Sequence, residues 1–132
     1  MSNPFQVGQF VAAAYKTGEY IGEIVELSTK AAVKVVAVLK HPTQGDLHNP
    51  QQAEVAFFHQ RRALANQEIA LMPMHTLVAY AGSVPDYKQS LQAALQAEIE
   101  EQENTMRFAQ KSLEELLQLK QDYFPEVKSS SS

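Results

Sequence analysis

The spacing of hydrophobic and polar residues changes once along this chain, near Asp86. Upstream, apolar segments at residues 7–15, 20–27, 33–39 and 69–72 are separated by turn residues, a pattern typical of a small β-barrel or sandwich. Downstream, apolar residues recur at every third or fourth position, as on one face of an α-helix. We therefore predict an α+β protein whose first half is mainly β.

Several details refine the predicted strands. Residues 55–58 are apolar, and residues 62–65 are Arg62 followed by Ala-Leu-Ala; both segments extend the strand pattern between the third and last segments. Thr17 and Gly18 predict a turn in which the glycine adopts a positive φ. Gly22 lies inside a predicted strand, where glycine indicates a bulge or a close backbone approach.

The second half predicts two helices. Asp86 is a helix N-cap, and Gln89 stands where a capping box places Glu or Gln. Asn104 interrupts the apolar stripe and could cap a second helix, which Pro125 ends. The predicted domains are a β domain, a helical hairpin packed on that domain or on a partner, and a disordered tail, at residues 1–84, 85–125 and 126–132.

Length and composition narrow the class of protein. At 132 residues the chain suits one compact domain with an appendage. It contains no cysteine, which excludes a thiol nucleophile, a zinc–thiolate site, a disulfide framework and a lipid on cysteine. The first residues lack the regions of a signal peptide, and no apolar run is long enough to span a membrane. We expect a cytoplasmic protein without a cofactor.

Charge is concentrated in the second half. Residues 1–85 hold six basic and six acidic side chains, whereas residues 86–132 hold five basic and nine acidic ones and so carry the whole net charge of −4. Nucleic-acid-binding proteins normally present a basic surface, because contacts with phosphates supply much of their affinity. Neither half has such an excess, and we expect no nucleic-acid partner.

Histidines cluster in the connection at residues 40–50, which is longer than the roughly two to five residues that a strand connection needs. His41, Asp46 and His48 lie in it, and His59 follows. His41, His48 and Asp46 are candidate ligands of a divalent metal ion, although the spacings of known metal motifs are missing. Alternatively, these polar groups bind the backbone of the loop itself.

Two charged groups are candidate contacts for a partner. Arg61 and Arg62 would face opposite ways in a strand, and one could reach a carboxylate, a phosphate or an aromatic ring. The alternative is a salt bridge to a glutamate of the β domain. Glu98, Glu100 and Glu101 could contact a basic partner, or they could form an ordinary solvated helix face.

Six segments carry a resemblance to a known family. They are YKTGEYIGEI at 15–24, KVVAVLKHP at 34–42, QGDLH at 44–48, FFH at 57–59, ALA at 63–65 and PDYKQSL at 85–91. Together they resemble the kinase-associated protein B family of spore-forming bacilli, from about residue 5 to residue 124. The segment 39–47 and the Pro-Asp-Tyr-Lys sequence are the most specific parts.

The resemblance implies a fold and a role. The implied fold is an SH3-like β-barrel followed by C-terminal helices. The implied role is regulatory: binding a sensor histidine kinase or another protein of the sporulation pathway, in support of the phosphorelay. The family is sometimes described as a lipoprotein, whereas this chain has no cysteine, so any membrane association is expected to come through a membrane-bound kinase. The resemblance implies no catalytic residues.

We therefore predict a non-enzymatic interaction protein. Motifs such as the P-loop, GxGxxG and GxSxG are absent. The alternatives are a nucleic-acid-binding SH3-like module and a small metal-dependent enzyme that uses the loop histidines. The apolar helix faces also allow a homodimer. The candidate interaction surface comprises His41, Asp46, His48, His59, Arg61, Arg62, Glu98, Glu100 and Glu101.

Overall fold

The structure is a computed structural model that describes residues 4–126. Its elements are β1 (Phe10–Tyr15), β2 (Gly18–Leu27), β3 (Lys30–Lys40), β4 (Ile69–Pro73), a 3₁₀ turn (Met74–Thr76), β5 (Val78–Ala79) and α1 (Tyr87–Tyr123). The chain divides into two compact units between Glu98 and Ile99. The five strands and the α-helix confirm the predicted α+β class. Of the predicted disordered tail, Glu126 lies in a turn and residues 127–132 lie outside the described residues.

The strands form one antiparallel sheet in the order β4-β3-β2-β1-β5. Within residues 4–126, β4 and β5 are the two edges of the sheet and no backbone ladder joins them. The strand pairing therefore does not form the closed barrel that we predicted. The predicted strands at residues 55–58 and 62–65 are absent as well. In the second of these segments, single bonds to side chains take the place of a ladder: the Leu64 N–H donates to the Tyr20 hydroxyl and the Ala65 N–H donates to the Glu68 carboxylate.

Two glycines make room for neighbouring groups. The turn between β1 and β2 uses a positive φ of 54° at Lys16, so the predicted role for Gly18 is wrong. A Cβ at Gly18 would meet the Tyr20 hydroxyl oxygen at 2.5 Å. At Gly22, where the pairing register shifts, a Cβ would meet Val33 Cγ1 at 2.4 Å. The predicted bulge and close approach at Gly22 are therefore confirmed.

The core of the first unit is built mainly on the four longer strands of this sheet. The buried cluster takes its apolar residues from β1, β2, β3 and β4 and from three positions outside them, Leu64, Leu77 and Ala94. Tyr20 is the largest fully buried side chain. Burial of this kind contributes roughly 25 cal/mol for each Å² of apolar surface removed from water, and it fixes the strands that carry the β3–β4 connection.

Helix α1 begins where the sequence predicts. The Asp86 carboxylate accepts a hydrogen bond from the Gln89 N–H at 3.2 Å, which confirms Asp86 as the N-cap. The Ser90 hydroxyl oxygen accepts a hydrogen bond from the Val38 N–H at 2.9 Å. Because Val38 lies on β3, this bond attaches the first turn of α1 to the sheet.

Between Asp86 and Pro125 the structure has one α-helix, so the predicted two-helix hairpin is wrong. Helix α1 continues through Asn104 and Thr105 to Tyr123. Asn and Thr cost only about half a kcal/mol each in a helix interior relative to Ala, and neither glycine nor proline stands between Pro85 and Pro125. The flanking helix formers therefore outweigh the local capping preference. The helix ends two residues before Pro125, as expected.

Candidate functional site

Residues 41–68 form the connection between β3 and β4, and we call them the β3–β4 loop. The loop contains no helix or strand. Two of its segments, residues 42–46 and 59–61, lie side by side: the Gly45 N–H donates to the His59 carbonyl oxygen at 2.8 Å. This contact closes the base of the intervening segment, and we call that segment, residues 47–58, the outer part of the loop.

The side chain of Gln44 joins these two segments. Its Oε1 accepts a hydrogen bond from the Arg61 N–H at 2.7 Å, and its Nε2 donates to the Arg61 carbonyl oxygen at 2.9 Å. The amide therefore pairs with a backbone residue as a neighbouring strand would. Sequence reasoning missed Gln44, because a single glutamine in a loop gives no signal of this pairing.

The guanidinium of Arg61 completes the junction. Its Nη1 donates to the carbonyl oxygen of Thr43 at 3.2 Å and also to that of Gly45. The half-buried Arg61 thus holds loop backbone, and its contacts in the structure are neither the predicted partner group nor the predicted glutamate. Arg62 is exposed and lies outside any strand, so the predicted strand geometry for this pair is wrong.

Asp46 organises the next turn of the loop. Its carboxylate accepts hydrogen bonds from the Asn49 side chain and from the His48 N–H, both at 2.9 Å. These bonds lower the pKa of the Asp46 carboxyl, and the imidazoles of His48 and His59 lower it further. The geometry is that of an aspartate turn, which is the structural alternative set out above.

The histidines do not converge on a metal site. In residues 4–126, no group of three or more His, Cys, Asp or Glu side chains could hold a metal ion. The Nδ1 of His41 lies 3.0 Å from the Pro42 carbonyl oxygen, and His48 is exposed. The candidate ligands His41, Asp46 and His48 therefore do not form the metal site considered above.

The outer part of the loop exposes aromatic rings that sequence reasoning did not select. Phe57 is 65% exposed and Phe58 is 56% exposed. The rings of Phe57 and His59 are tilted, with centroids 4.4 Å apart. A Cβ at Gly45 would meet the Phe58 ring at 3.0 Å, so this ring lies close to the junction. The signal available in the sequence was the Phe-Phe-His motif itself.

The far end of the loop is attached to two elements through Leu64. The Leu64 N–H donates to the hydroxyl oxygen of Tyr20, on β2, at 3.2 Å. The hydroxyl of Tyr87, on α1, donates to the Leu64 carbonyl oxygen. Burial raises the pKa of both tyrosines. These phenols therefore fix the path of the loop between sheet and helix.

The acidic candidates lie on α1 and are divided between the two units. Glu98 is half-buried in the first unit, whereas Glu100 and Glu101 are exposed in the second. No helix in residues 4–126 has both the length and the apolar character to cross a membrane. The candidate site thus consists of the β3–β4 loop, with exposed rings outside and its polar groups bonded to its own backbone.

Together, the open sheet, the long helix and the loop define a small α+β protein with an exposed aromatic surface. The family described as Kinase associated protein B matches residues 15–124, and the chain belongs to this family. It is 47% identical over 122 residues to "Kinase-associated lipoprotein B" of Bacillus subtilis (strain 168), covering 91% of this chain and 95% of that protein.

A solved relative has the same fold. The X-ray crystal structure of kinase-associated protein B from Bacillus cereus matches with a TM-score of 0.66 and 43% sequence identity, over 90% of this chain and 97% of that chain. The resemblance that the sequence motifs carry is therefore confirmed as family membership.

Proposed function

We propose that this chain is a non-enzymatic interaction protein that associates with a kinase, as the names of its relatives indicate for those proteins. The proposed partner is a sensor histidine kinase of the sporulation phosphorelay, which the family resemblance implies. Any membrane association would come through that kinase. The absence of known catalytic motifs supports a role in binding.

We also propose that the β domain is SH3-like. The strand β5 pairs with β1 and the strand β4 pairs with β3, so these two strands are opposite edges of the sheet. Only the short segment from Met74 to Leu77 connects them. So short a connection favours a sheet that curls until its edges approach each other, and this supports a barrel-like shape.

The proposed kinase-binding surface is the outer face of the β3–β4 loop. The observation that carries the proposal is the exposure of Phe57 and Phe58 on a loop whose ends are held by Gln44 and Arg61. Aromatic residues dominate the energetics of protein interfaces, and a held loop loses little entropy on binding. His41, Asp46, His48, His59 and Arg62 complete the surface as polar surroundings.

A binding assay with the cytoplasmic part of the kinase tests this proposal. We expect Phe57→Ala to weaken binding by at least about tenfold, as a truncated interface anchor does. Val7→Ala is the control, because Val7 is also exposed and apolar but lies before β1. Wild-type protein that does not bind the kinase, or equal binding by both variants, would contradict the proposal.

The acidic residues of α1 are a second proposed contact. Glu98, Glu100 and Glu101 would attract a basic region of the kinase and accelerate association. We expect the triple glutamate-to-glutamine variant to bind more slowly, with a weaker dependence on salt. A variant with unchanged association at low salt would remove these residues from the proposed surface.

A further inference from the structure

The second unit consists largely of helix with an uncovered apolar face. Between Ile99 and Tyr123, eight large hydrophobic side chains are between 39% and 71% exposed, among them Met106, Leu113 and Leu116. An isolated helix gains little stability from propensity alone, and apolar side chains at this density are normally covered. The segment therefore needs a partner surface of matching shape.

The spacing of these residues indicates what kind of partner surface would cover them. One series of positions repeats every seven residues: Ile99, Met106, Leu113 and Lys120. A second series begins three residues later and has the same interval: Gln102, Ala109, Leu116 and Tyr123. Two interleaved series of this kind are the a and d positions of a coiled coil. A period of seven places both series on one narrow stripe, which packs against another helix.

We propose that this stripe binds the same stripe of a second copy of the chain, with the two helices antiparallel and the register centred on Lys111. This register makes a symmetric, self-complementary interface. It pairs apolar with apolar and polar with polar side chains: Ile99 with Tyr123, Met106 with Leu116, Ala109 with Leu113, and Gln102 with Lys120.

Charge selects the antiparallel orientation. In a parallel pair, Lys120 would face its own copy in the core, and the flanking residue Glu98 would face Glu103 of the other helix. In the antiparallel register, Lys120 instead lies at the level of Gln102 and Glu103 of the other copy. The antiparallel orientation thus replaces the Lys120–Lys120 and Glu98–Glu103 repulsions with an attraction between Lys120 and Glu103.

Sedimentation equilibrium of the full chain tests the pairing. We expect a mass twice the chain's 14.7 kDa at high concentration, and dissociation on dilution. Leu113→Glu, within the stripe, should give the monomer mass. Phe108→Glu should remain dimeric, because Phe108 is exposed but lies off the stripe. A monomer at all concentrations, or equal effects of both substitutions, would overturn the proposal.

Cross-linking tests the orientation without placing charge in the interface. The chain has no natural cysteine, so Met106→Cys and Leu116→Cys each introduce a single thiol. In the proposed register the two copies of either position are about 15 Å apart, from a rise of 1.5 Å per residue, too far for a disulfide. An oxidised mixture of the two variants should therefore form the mixed dimer, and neither variant alone should cross-link.

Two other outcomes would overturn the proposal. Efficient cross-linking of Met106→Cys to itself would establish a parallel pair. A monomeric chain whose binding to the kinase is lost in Leu113→Glu and retained in Phe108→Glu would assign the stripe to a different partner. Loss of kinase binding in Phe57→Ala, with an unchanged dimer mass, would separate this proposal from the proposed function.

Discussion

Tyr20 combines complete burial with a phenol that contacts loop backbone. Its ring lies over Gly18, and its hydroxyl accepts the hydrogen bond from Leu64. Tyr87, at the start of α1, also contacts loop backbone: its hydroxyl donates to the Leu64 carbonyl oxygen. Both phenols are neutral in this arrangement, and burial disfavours their ionised forms. The stability of the first unit should therefore fall as the pH rises into the alkaline range.

We expect this dependence to begin above the ordinary tyrosine pKa of 10.0. A raised pKa in the folded state means that the stabilisation is complete below the unfolded pKa and is lost as pH rises through the folded value. Urea denaturation at increasing pH measures the effect. Tyr20→Phe, which keeps the ring, should flatten the alkaline decline; an unchanged decline would show that Tyr20 is not responsible.

The two neighbouring arginines should respond differently to truncation. Arg61→Ala removes the donors to the carbonyl groups of Thr43 and Gly45, and we expect a loss of about 1.5–3 kcal/mol, as for a hydrogen bond to a charged group. Arg62→Ala, at an exposed position, should change stability by less than about 0.5 kcal/mol. Equal effects on the urea midpoint would contradict this assignment.

At the scale of elements, the sequence predicts those strands and helix ends that follow from the spacing of apolar residues and from local capping and turn residues. The first three strands, β4 and the Asp86 cap follow from such local patterns. The hairpin prediction at Asn104 is wrong because local capping preference is weak beside a long run of helix formers. The short β5 escapes prediction because two residues carry no period.

The candidate site is predictable only in part. The sequence indicates that the connection after β3 is unusual and names Asp46 and Arg61 within it. It cannot indicate that Gln44 pairs with the backbone of Arg61, because that contact joins residues distant in the chain. Nor can it separate the exposed Phe57 from a core residue, since both are simply apolar in a sequence.

The attachment of α1 to the sheet gives a prediction at this scale. Ser90→Ala leaves the Val38 N–H without its acceptor, which we expect to destabilise the first unit by about 1–3 kcal/mol. About half a kcal/mol of that would be offset by the higher helix propensity of alanine. The exposed Gln92→Ala is the control in thermal unfolding, and a similar loss there would disprove a role for the Ser90 bond.

At the scale of the whole molecule, the division between Glu98 and Ile99 separates the buried core from the second unit. All members of the main core cluster, through Ala94, lie before it. Stability of a domain depends chiefly on such buried apolar area. The first unit therefore has the contacts that independent folding requires.

We expect a chain that ends at Glu98 to unfold cooperatively, with the alkaline dependence of the full chain. A chain that ends at Pro85 should be much less stable, because it loses the Tyr87 and Ser90 contacts and the buried Ala94. Circular dichroism during heating measures both. A non-cooperative transition for the longer fragment would show that the second unit is required.

The two phenols on either side of Leu64 have a mechanical consequence. One comes from the sheet and the other from the first turn of the helix, and they bond the N–H and the carbonyl oxygen of the same residue. A ligand that displaces the loop must disturb the helix start as well, and a force applied to the helix must be transmitted back to the loop. By thermodynamic reciprocity, a ligand bound at the loop and a ligand bound at the helix start would change each other's affinity by the same factor, so Leu64 couples the two positions.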